Sequence, residues 1–458
     1  MGFISFETKC SFVVHAAGAL LATVAVNLPT HAASTNLPPL KTYQPRLVQT
    51  IDFKDFGNSY IRLGDLDGDG LPEILVVQAK APGGEDKAII TCLTALDLQG
   101  KVLWRVGTPN VTNTYAGGDL PVQIHDIDRD GSNDVVYIQD EQNVLTILDG
   151  RTGQEKRRVQ LAGGHDSLLF ADFSGRGFAS DLLVKNRYKG FWVYDADFKL
   201  LWSKSNPFMG HYPMNYDFDG DGHDELVCGY ALYDYTGREL WNHPEFGRHN
   251  DAVYIEDMND DGRAEIAIAT SGDAVLLNDE GKILFRKKMN HCQHAIIGKF
   301  RADLPGKQVC FLDRHDVKSK NPNEGRSAVS MFTMAGERLW QVKGDIWVAG
   351  ILRVDNWSGD PQENFICHYS RGFGAPVLLD GYGREVASFP FPAAIKAHDT
   401  GPQGKDIYDD HFVQHLDCYG DEREEIIVFN PKELRIYTNA KLWERPRLFN
   451  GNYYPGRL

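Results

Sequence analysis

The chain has little positive charge for its size, and this shortage excludes one class of partner. Its 48 Lys and Arg are outnumbered by 63 Asp and Glu, which leaves a net charge of −15. No dense Lys/Arg cluster is present to neutralise phosphates, so we exclude a nucleic-acid partner. An anionic substrate is not excluded, because much of the acidity lies in Asp-rich segments where bound cations would cancel it.

Cysteine is also scarce and lacks the dense spacing of a disulfide scaffold. The sequence has 7 cysteines, of which Cys10 lies in an apolar N-terminal segment and the other six are spread singly. We therefore expect buried thiols in strands rather than a disulfide network.

Long apolar runs are missing beyond the N-terminus. The segment 12–26 is apolar but short for a membrane span, and the small residues Ala32 and Ala33 follow it. This pattern predicts a cleaved signal peptide over 1–33, with an uncleaved anchor as the alternative. The mature protein is then secreted or periplasmic, with no membrane span after signal cleavage.

No segment shows sustained helical periodicity, and a β pattern repeats instead. In the four clearest copies a strand ends in an Asp-x-Asp-x-Asp-Gly motif or its Asn variant, followed by an acidic residue and an apolar run. Four worn copies lie at Asp172, near Lys299, near Arg353 and at Asp417. A turn glycine with a Leu-Trp strand comes later in the copy, as in Gly100–Trp104 and Gly237–Trp241. In the first copy four β-rich runs are bounded by turn residues, namely 61–64, 73–77, 88–96 and 102–106.

Four short antiparallel strands in each repeat are typical of a propeller blade. We count eight copies, so the sequence predicts an all-β fold, a β-propeller of eight four-stranded blades, with seven as the alternative. The propeller is expected to occupy 34–458 as a single catalytic domain. Residues 34 to about 55 are expected to supply a strand that closes the ring. An open β-solenoid is the structural alternative, but its coils are normally shorter than this repeat.

The Asp-rich loops have the composition of cation sites. Carboxylates at positions one, three, five and nine can converge on one hard cation, and the glycine allows the tight turn. Four loops resemble those of integrin-type FG-GAP propellers and are predicted to hold structural Ca²⁺. Their ligands would be Asp65, Asp67, Asp69 and Glu73; Asp126, Asp128, Asp130 and Asp134; Asp217, Asp219, Asp221 and Glu225; and Asp257, Asn259, Asp261 and Glu265.

Many of the 15 histidines lie near one position, the innermost strand of a blade. Side chains at equivalent positions of successive blades would converge around the propeller axis. This set is predicted to form the functional site. Its histidines are His125, His165, His211, His249, His291, His294, His411 and His415, and Tyr212 and Arg248 accompany them.

Cys292 and His294 are two residues apart in one predicted strand, so they could face the same side. Such a pair could belong to a structural Zn²⁺ site, although zinc requires three or four ligands. The alternative is a buried thiol beside a structural histidine.

Two segments resemble a known group of enzymes. The runs 181–195 and 210–222 are similar to those of the β-propeller polysaccharide lyases, meaning the rhamnogalacturonan lyases and the ulvan lyases. The resemblance implies a polysaccharide lyase that cleaves a rhamnose–uronate (glucuronate or galacturonate) linkage by β-elimination. Some ulvan lyases are implied to hold structural zinc through a Cys-x-His pair, which Cys292 and His294 would match.

β-Elimination suggests a role for each predicted catalytic residue. Arg187 is expected to neutralise the uronate carboxylate, because an enolate-like intermediate must form. His165 or His211 would take the C5 proton, and Tyr188 or His249 would protonate the leaving oxygen. The residues predicted to bind substrate are His125, Tyr212, Arg248, Trp347 and His411.

Two other functions remain open from the sequence. A non-catalytic calcium-dependent carbohydrate-binding or adhesion propeller would carry the same Asp loops, but would not explain why Arg, Tyr and His gather. A quinone-dependent dehydrogenase also has Trp-rich repeats, but it would not need Asp loops in half of its blades. The expected partner is an acidic polysaccharide, and the expected oligomeric state is a monomer.

Overall fold

The structure is a computed structural model of the chain, and Lys41–Leu458 forms one compact unit. It describes residues 37–57, 60–80, 88–111, 119–139, 142–187, 189–206, 208–247, 249–314, 327–344, 350–370, 374–392 and 411–440. The predicted signal peptide lies outside the described residues. Among those that are described, no helix has the length and apolarity needed to cross a membrane.

The described residues form eight four-stranded antiparallel sheets, so the predicted eight-bladed β-propeller is confirmed. Blade one contains β2(Tyr60–Gly64), β3(Glu73–Lys80), β4(Ile89–Leu96) and β5(Val102–Gly107). Blade two contains β6(Val122–His125), β7(Asp134–Ile138), β8(Val144–Asp149) and β9(Glu155–Gln160). Blade three contains β10(Ser167–Ala171), β11(Asp181–Asn186), β12(Gly190–Tyr194) and β13(Leu200–Ser205). Blade four contains β14(Met214–Tyr216), β15(Glu225–Cys228), β16(Ala231–Tyr233) and β17(Glu239–Asn242).

The second half of the ring repeats the same order. Blade five contains β18(Ala252–Glu256), β19(Glu265–Ala269), β20(Asp273–Leu277) and β21(Ile283–Lys288). Blade six contains β22(Cys292–Gly298), β23(Gln308–Arg314), β24(Ser327–Phe332) and β25(Arg338–Gly344). Blade seven contains β26(Gly350–Asp355), β27(Asn364–Tyr369), β28(Val377–Leu379) and β29(Glu385–Ser388). Blade eight contains β30(Phe412–Leu416), β31(Glu425–Phe429), β32(Glu433–Asn439) and, from the N-terminus, β1(Pro45–Asp52). Short 3₁₀ turns occur at Lys54–Phe56 and Pro244–Phe246.

The N-terminal strand closes the ring as predicted. β1 pairs antiparallel with β32 and forms the outer strand of blade eight. The first strands also bridge this junction, since the Gln414 side chain in β30 donates to the carbonyl of Ile61 in β2 at 3.4 Å. Arg62 links the first strands of blades one and two in the same way, since its Nε donates to the carbonyl of Val122 at 2.9 Å. The first and last blades are therefore joined at both their inner and outer strands.

The recurring Gly and Leu-Trp pattern joins four of the blades to the next one. The Trp202 indole in blade three donates to the carbonyl of Tyr235 in blade four at 2.9 Å. Gly237 in the same turn has a φ of +83°, and a Cβ placed there would lie 2.7 Å from the Trp202 ring. A larger residue at this position would collide with the indole, which explains the glycine. Trp104, Trp241 and Trp340 make the same contact between other blades.

The two faces of the propeller are defined by the direction of the first strands. We call the face where the first strand of each blade begins the upper face. The lower face is the one where the first strand ends and the Asp-rich loop follows. Because β10 pairs antiparallel with β11, with Ser167 opposite Lys185, the end of a second strand also lies at the upper face. Residues just before a first strand therefore lie near those just after a second strand.

The six cysteines beyond the N-terminal segment are free and buried, as expected. They pack among apolar side chains; Cys292 and Cys310, for example, belong to the core around β22 and β23. They therefore contribute to the packing of the blades and form no disulfides.

Candidate active site

A group of ionisable side chains from blades two to six gathers at the upper face. It is built around three buried carboxylates, those of Asp119, Asp166 and Asp251, each 3% exposed. All three precede the first strand of a blade, namely β6, β10 and β18. Burying a carboxylate is costly unless charges or hydrogen bonds compensate it. The partners of these carboxylates therefore define the site.

Asp119 joins two of the predicted catalytic residues. The Arg187 guanidinium forms an ion pair with Asp119, and both side chains are almost completely buried. Asp119 Oδ2 also accepts a hydrogen bond from His211 Nδ1 at 2.8 Å. Blades two, three and four thus meet at one carboxylate, which fixes the ring orientation of His211.

His211 is held as a neutral imidazole. Burial, followed by the positive charge of Arg187, lowers the pKa of His211 to about 3. Since Nδ1 donates its proton to Asp119, Nε2 carries a lone pair. That lone pair faces blade five, where Asp251 Oδ1 lies 3.9 Å from Nε2.

Asp251 is surrounded by polar side chains of blades four, five and six. His249 Nε2 lies 3.1 Å from Oδ1, and His291 Nε2 lies 3.7 Å from Oδ2. Gln293 donates to Oδ1 at 2.6 Å, and the Ser271 hydroxyl donates to Oδ2. Burial opposes ionisation of Asp251, but the histidine hydrogen bonds and charges outweigh it and hold the pKa of Asp251 well below its usual range.

His165 is held by two asparagines and lies beside the buried ion pair of Asp166 and Lys185. The Lys185 ammonium lies 3.1 Å from Asp166 Oδ1, and neither side chain is exposed to an appreciable extent. The His165 backbone N–H donates to Asn186 Oδ1 at 2.8 Å, and its ring Nδ1 lies 3.3 Å from Asn143 Oδ1. An amide oxygen accepts only from an N–H, so in the neutral tautomer that donates Nδ1–H to Asn143 the Nε2 atom of His165 carries a lone pair.

The structure brings together His165, Arg187, His211 and His249 among the predicted catalytic residues. The Tyr212 ring lies beside that of His211, with the two centroids 5.9 Å apart. Tyr188, Arg248 and Trp347 lie outside the described residues, so their predicted roles stay predictions.

Two of the predicted substrate-binding histidines do not join this group. His125 ends β6 and therefore lies at the lower face, where its Nε2 contacts the carbonyl of Ala179 at 2.6 Å and its ring stacks on Phe170. Both His125 and His165 are close to a first strand in the sequence, but they lie at opposite ends of their strands. His411 begins blade eight at the upper face, but it is 0% exposed and packs against Phe391.

Four buried charged residues around the histidines were not predicted from the sequence. These are Asp119, Asp166, Lys185 and Asp251, each buried and each beside or paired with a predicted site residue. The dipeptide His165-Asp166 and the triplet His249-Asn250-Asp251 were the available signals. A carboxylate one or two residues from a candidate base indicates a group that could orient it.

The Asp-rich loops lie at the lower face, away from the histidines. Three of them bring carboxylates within 4.8 Å of one another, with Asp65, Asp67 and Glu73 in blade one and Asp217, Asp219 and Glu225 in blade four. The ninth-position acid also has a structural role, since Glu73 accepts from the backbone N–H of Leu66 at 2.7 Å. Burial raises the pKa of Glu73 to about 7, and a bound dication would favour its ionised form.

The blade-two loop differs from the others, because a lysine enters it. The Lys156 ammonium lies 2.7 Å from Asp128, 3.2 Å from Asp130 and 3.0 Å from Asp134. A protein cation therefore stands among the carboxylates that were predicted to bind calcium. In the worn blade-six loop Lys299 has a similar position and donates to the carbonyls of Leu304 and Gly306.

Cys292 and His294 do not converge on a third ligand among the described residues. A register irregularity separates them in β22, so strict alternation of side chains is lost there. Cys292 is completely buried in the core, whereas burial lowers the pKa of His294 to about 4 beside the backbone of Ile351. The zinc site stays a prediction.

Comparison with known proteins agrees with this architecture. No protein-family model matches the chain. Rhamnogalacturonan exolyase YesX of Bacillus subtilis (strain 168) is 22% identical over 461 residues, covering 83% of this chain and 71% of that protein. The crystal structure of exotype rhamnogalacturonan lyase YesX matches with a TM-score of 0.59 and 18% identity, covering 88% of this chain and 76% of that one.

A protein of another kind shares the fold to a similar degree. The biofilm matrix protein Bap1 of V. cholerae matches with a TM-score of 0.56 and 14% identity, covering 90% of this chain and 91% of that one. At such identities structural similarity shows the fold alone. The resemblance to rhamnogalacturonan lyases predicted from the sequence is confirmed by the sequence match with YesX.

Proposed function

We propose that this chain is a secreted polysaccharide lyase that cleaves a rhamnose–uronate linkage by β-elimination at the upper face. The observation that carries the proposal is the group of imidazoles gathered around buried carboxylates across blades two to six. Sequence homology with YesX supports an enzyme of this class. A binding propeller is not favoured, since it would not require bases with lone pairs fixed by buried ion pairs.

The reaction needs a base, a charge neutraliser and an acid. The base takes the proton from C5, the C4–O bond breaks, and the electron pair forms the C4=C5 double bond. The leaving oxygen takes a proton from an acid or from water. His165 and His211 both present an Nε2 lone pair, so each is a candidate base.

The geometry changes the role that we propose for Arg187. Its guanidinium is 5% exposed and paired with Asp119, so it is not available to grip a substrate carboxylate as expected. We propose that Arg187 acts through Asp119 as a positioning residue, which keeps His211 in one orientation. His249 remains the described candidate for the acid, with Tyr188 as the alternative outside the described residues.

A pair of polymers tests the proposed function. The enzyme is incubated with rhamnogalacturonan and with the same polymer after reduction of its carboxylates to alcohols. We expect ultraviolet absorbance from an unsaturated uronate with the first polymer alone, because elimination requires an acidic C5 proton. No product from any uronate polysaccharide, or equal cleavage of the reduced polymer, would contradict the proposal.

We also propose that Ca²⁺ binds in the Asp loops of blades one, four and five and stabilises the ring. Since these loops lie at the lower face, their ions would support the fold rather than the chemistry. Removing calcium with a chelator is expected to lower the melting temperature. When the free Ca²⁺ concentration is 100 times the dissociation constant of a site, that site contributes about 2.7 kcal/mol to the free energy of unfolding. An unchanged melting curve in excess chelator would count against calcium in these loops.

Lys156 is expected to replace the ion in blade two. Replacing Lys156 with Met would free Asp128, Asp130 and Asp134, so the variant should bind one more calcium ion than the wild type. Isothermal titration with Ca²⁺ measures the stoichiometry, and Lys101→Met, at an exposed site on blade one, is the control. Equal stoichiometry in the wild type and Lys156→Met would show that the ammonium does not exclude an ion.

A further inference from the structure

A cleft opens at the upper face between blades one and two, outside the group of histidines. Its volume is about 540 Å³, which lies within the range of about 300–1,000 Å³ that is usual for sites of small ligands. Lys80, 89–91, 107–110 and Gln139 line it. None of these residues belongs to the candidate active site, so the cleft needs an explanation of its own.

The cleft exists because one hairpin of blade one projects above the rest of its sheet. β2 begins opposite Val77, whereas β3 continues to Lys80. On the other side β5 ends opposite Cys92, whereas β4 already begins at Ile89. Three residues of each of these strands therefore extend beyond their neighbours. At about 3.3 Å for each residue, they form a wall about 10 Å high.

Hydrogen bonds hold the walls of the cleft in place. The Ile90 backbone N–H donates to the carbonyl of Gln139 at 2.9 Å, which joins the hairpin to blade two. The Asn110 backbone N–H donates to Gln78 Oε1, and the Thr91 hydroxyl donates to the carbonyl of Gln78, both at 3.1 Å. Gln78 is 1% exposed, so the segment after β5 is tied to the buried base of the hairpin. The cleft is thus preformed, and binding would cost little affinity for ordering it.

The lining combines one positive charge with apolar surface. Lys80 is its one ionisable side chain, and no carboxylate is among the described residues that line the cleft. Since the chain as a whole has a net charge of −15, this lining stands out as one that attracts an anion rather than repelling it. Ile89 and Pro109 supply apolar surface, and Thr91 and Gln139 supply hydrogen-bonding groups.

A uronate unit of a polysaccharide matches each part of this lining. Its carboxylate can pair with the Lys80 ammonium, and the C–H groups of its ring can pack against Ile89 and Pro109. Its hydroxyls can bond to the polar groups. A phosphorylated ligand suits the cleft less well, because phosphate is usually bound by arginine or by several N–H groups together.

The cleft lies on the same face as the histidines. Asn110 at the cleft and Asp119 at the candidate active site are nine residues apart in the chain. An extended chain spans at most about 3.3–3.6 Å for each residue, so their Cα atoms are no more than about 32 Å apart. One long polymer can therefore occupy both places at the same time.

We propose that this cleft is an accessory subsite, which binds a uronate unit of the polysaccharide away from the cleaved linkage and pairs its carboxylate with Lys80. Its role in turnover rests on the proposed function, whereas binding depends only on the lining. A second contact on one polymer raises the local concentration of its linkages at the histidines. The enzyme would therefore hold long chains more tightly than short ones.

The first test measures binding without relying on turnover. Lysines of the full-length protein are acetylated with a limiting amount of reagent, and mass spectrometry gives the rate at each position. Rhamnose–uronate oligosaccharides, with galacturonate or with glucuronate, should slow the acetylation of Lys80. Lys101, which is exposed at the lower face of the same blade, should react as before. After reduction of their carboxylates to alcohols, the oligosaccharides should protect Lys80 far less.

The second test separates KM from kcat. Lys80→Met removes the positive charge, and Thr108→Glu places a carboxylate in the cleft at an exposed position. Each should raise KM for a long rhamnose–uronate polymer at least about fivefold, the upper end of what an exposed ion pair contributes, and change kcat little. KM for an oligosaccharide too short to reach both places should stay the same. Lys101→Met is the control, and thermal melts confirm that each variant is folded.

The subsite and the proposed function can fail separately. Equal acetylation of Lys80 with and without the acidic oligosaccharides, or a wild-type KM of Lys80→Met on the long polymer, would overturn the subsite. If the oligosaccharides protect Lys80 but no uronate polymer is cleaved, the subsite stands and the proposed function fails. If the polymer is cleaved and Lys80 is not protected, the proposed function stands and the subsite fails.

Discussion

Arg187→Ala is expected to lose both stability and activity, because the guanidinium is the buried counter-charge of Asp119. The two side chains are 5% and 3% exposed. Removing one partner of a buried ion pair leaves the other charge uncompensated, which typically costs about 3–5 kcal/mol of the free energy of unfolding. Asp119 would also hold His211 less firmly, so turnover should fall in the molecules that remain folded.

Urea unfolding of Arg187→Ala, Arg187→Lys and Arg187→Ala/Asp119→Asn measures this effect. Arg187→Lys keeps the charge but loses the planar guanidinium, so its free energy of unfolding should lie between those of the wild type and Arg187→Ala. The double variant should recover part of the lost stability, because no buried charge remains unpaired. Arg238→Ala is the control, since Arg238 is 74% exposed beside Asp234 and such pairs contribute about 0–1 kcal/mol. Wild-type stability of Arg187→Ala together with lost turnover would instead support a direct contact with the substrate carboxylate.

His165→Gln is expected to lower kcat by about 10²–10⁴-fold, the usual contribution of a general base. His165 is half-buried, and its Nδ1 contacts Asn143 at the upper face, so glutamine should fit without damage to the fold. Steady-state kinetics on a uronate polysaccharide, with thermal melts of both proteins, would measure the change.

The matched control for His165 is His223→Gln. His223 contacts the carbonyl of Phe173 at the lower face and stacks on Tyr235, so its replacement should leave kcat unchanged. A near-wild-type kcat for His165→Gln would move the role of base to another residue.

The fold was accessible from the sequence because each blade repeats the same local signals. The four predicted runs of blade one lie within two or three residues of β2 to β5. The closing strand was also predictable, since a ring must hide the edges of its first and last blades. The turn glycines and tryptophans form a visible pattern in the sequence, although only the structure shows that four of the tryptophans each contact the turn of the next blade.

The candidate site was less accessible, because it depends on contacts between residues far apart in the chain. His211 and Asp119 are 92 residues apart, and nothing local to either indicates the other. His125 shows the opposite problem: closeness to a first strand does not say which end of that strand a side chain occupies. The position of Lys156 in the blade-two loop also could not be predicted, since the lysine comes from the fourth strand of that blade.

The fate of water at the broken bond tests the central claim most directly. Rhamnogalacturonan oligosaccharides of known mass are cleaved, and the products are weighed by mass spectrometry. Elimination adds no water across the broken bond, so we expect two fragments whose masses sum to that of the parent, one with an unsaturated uronate at its new non-reducing end. A saturated uronate at that end, in fragments that together have gained one water, would show hydrolysis and would contradict elimination.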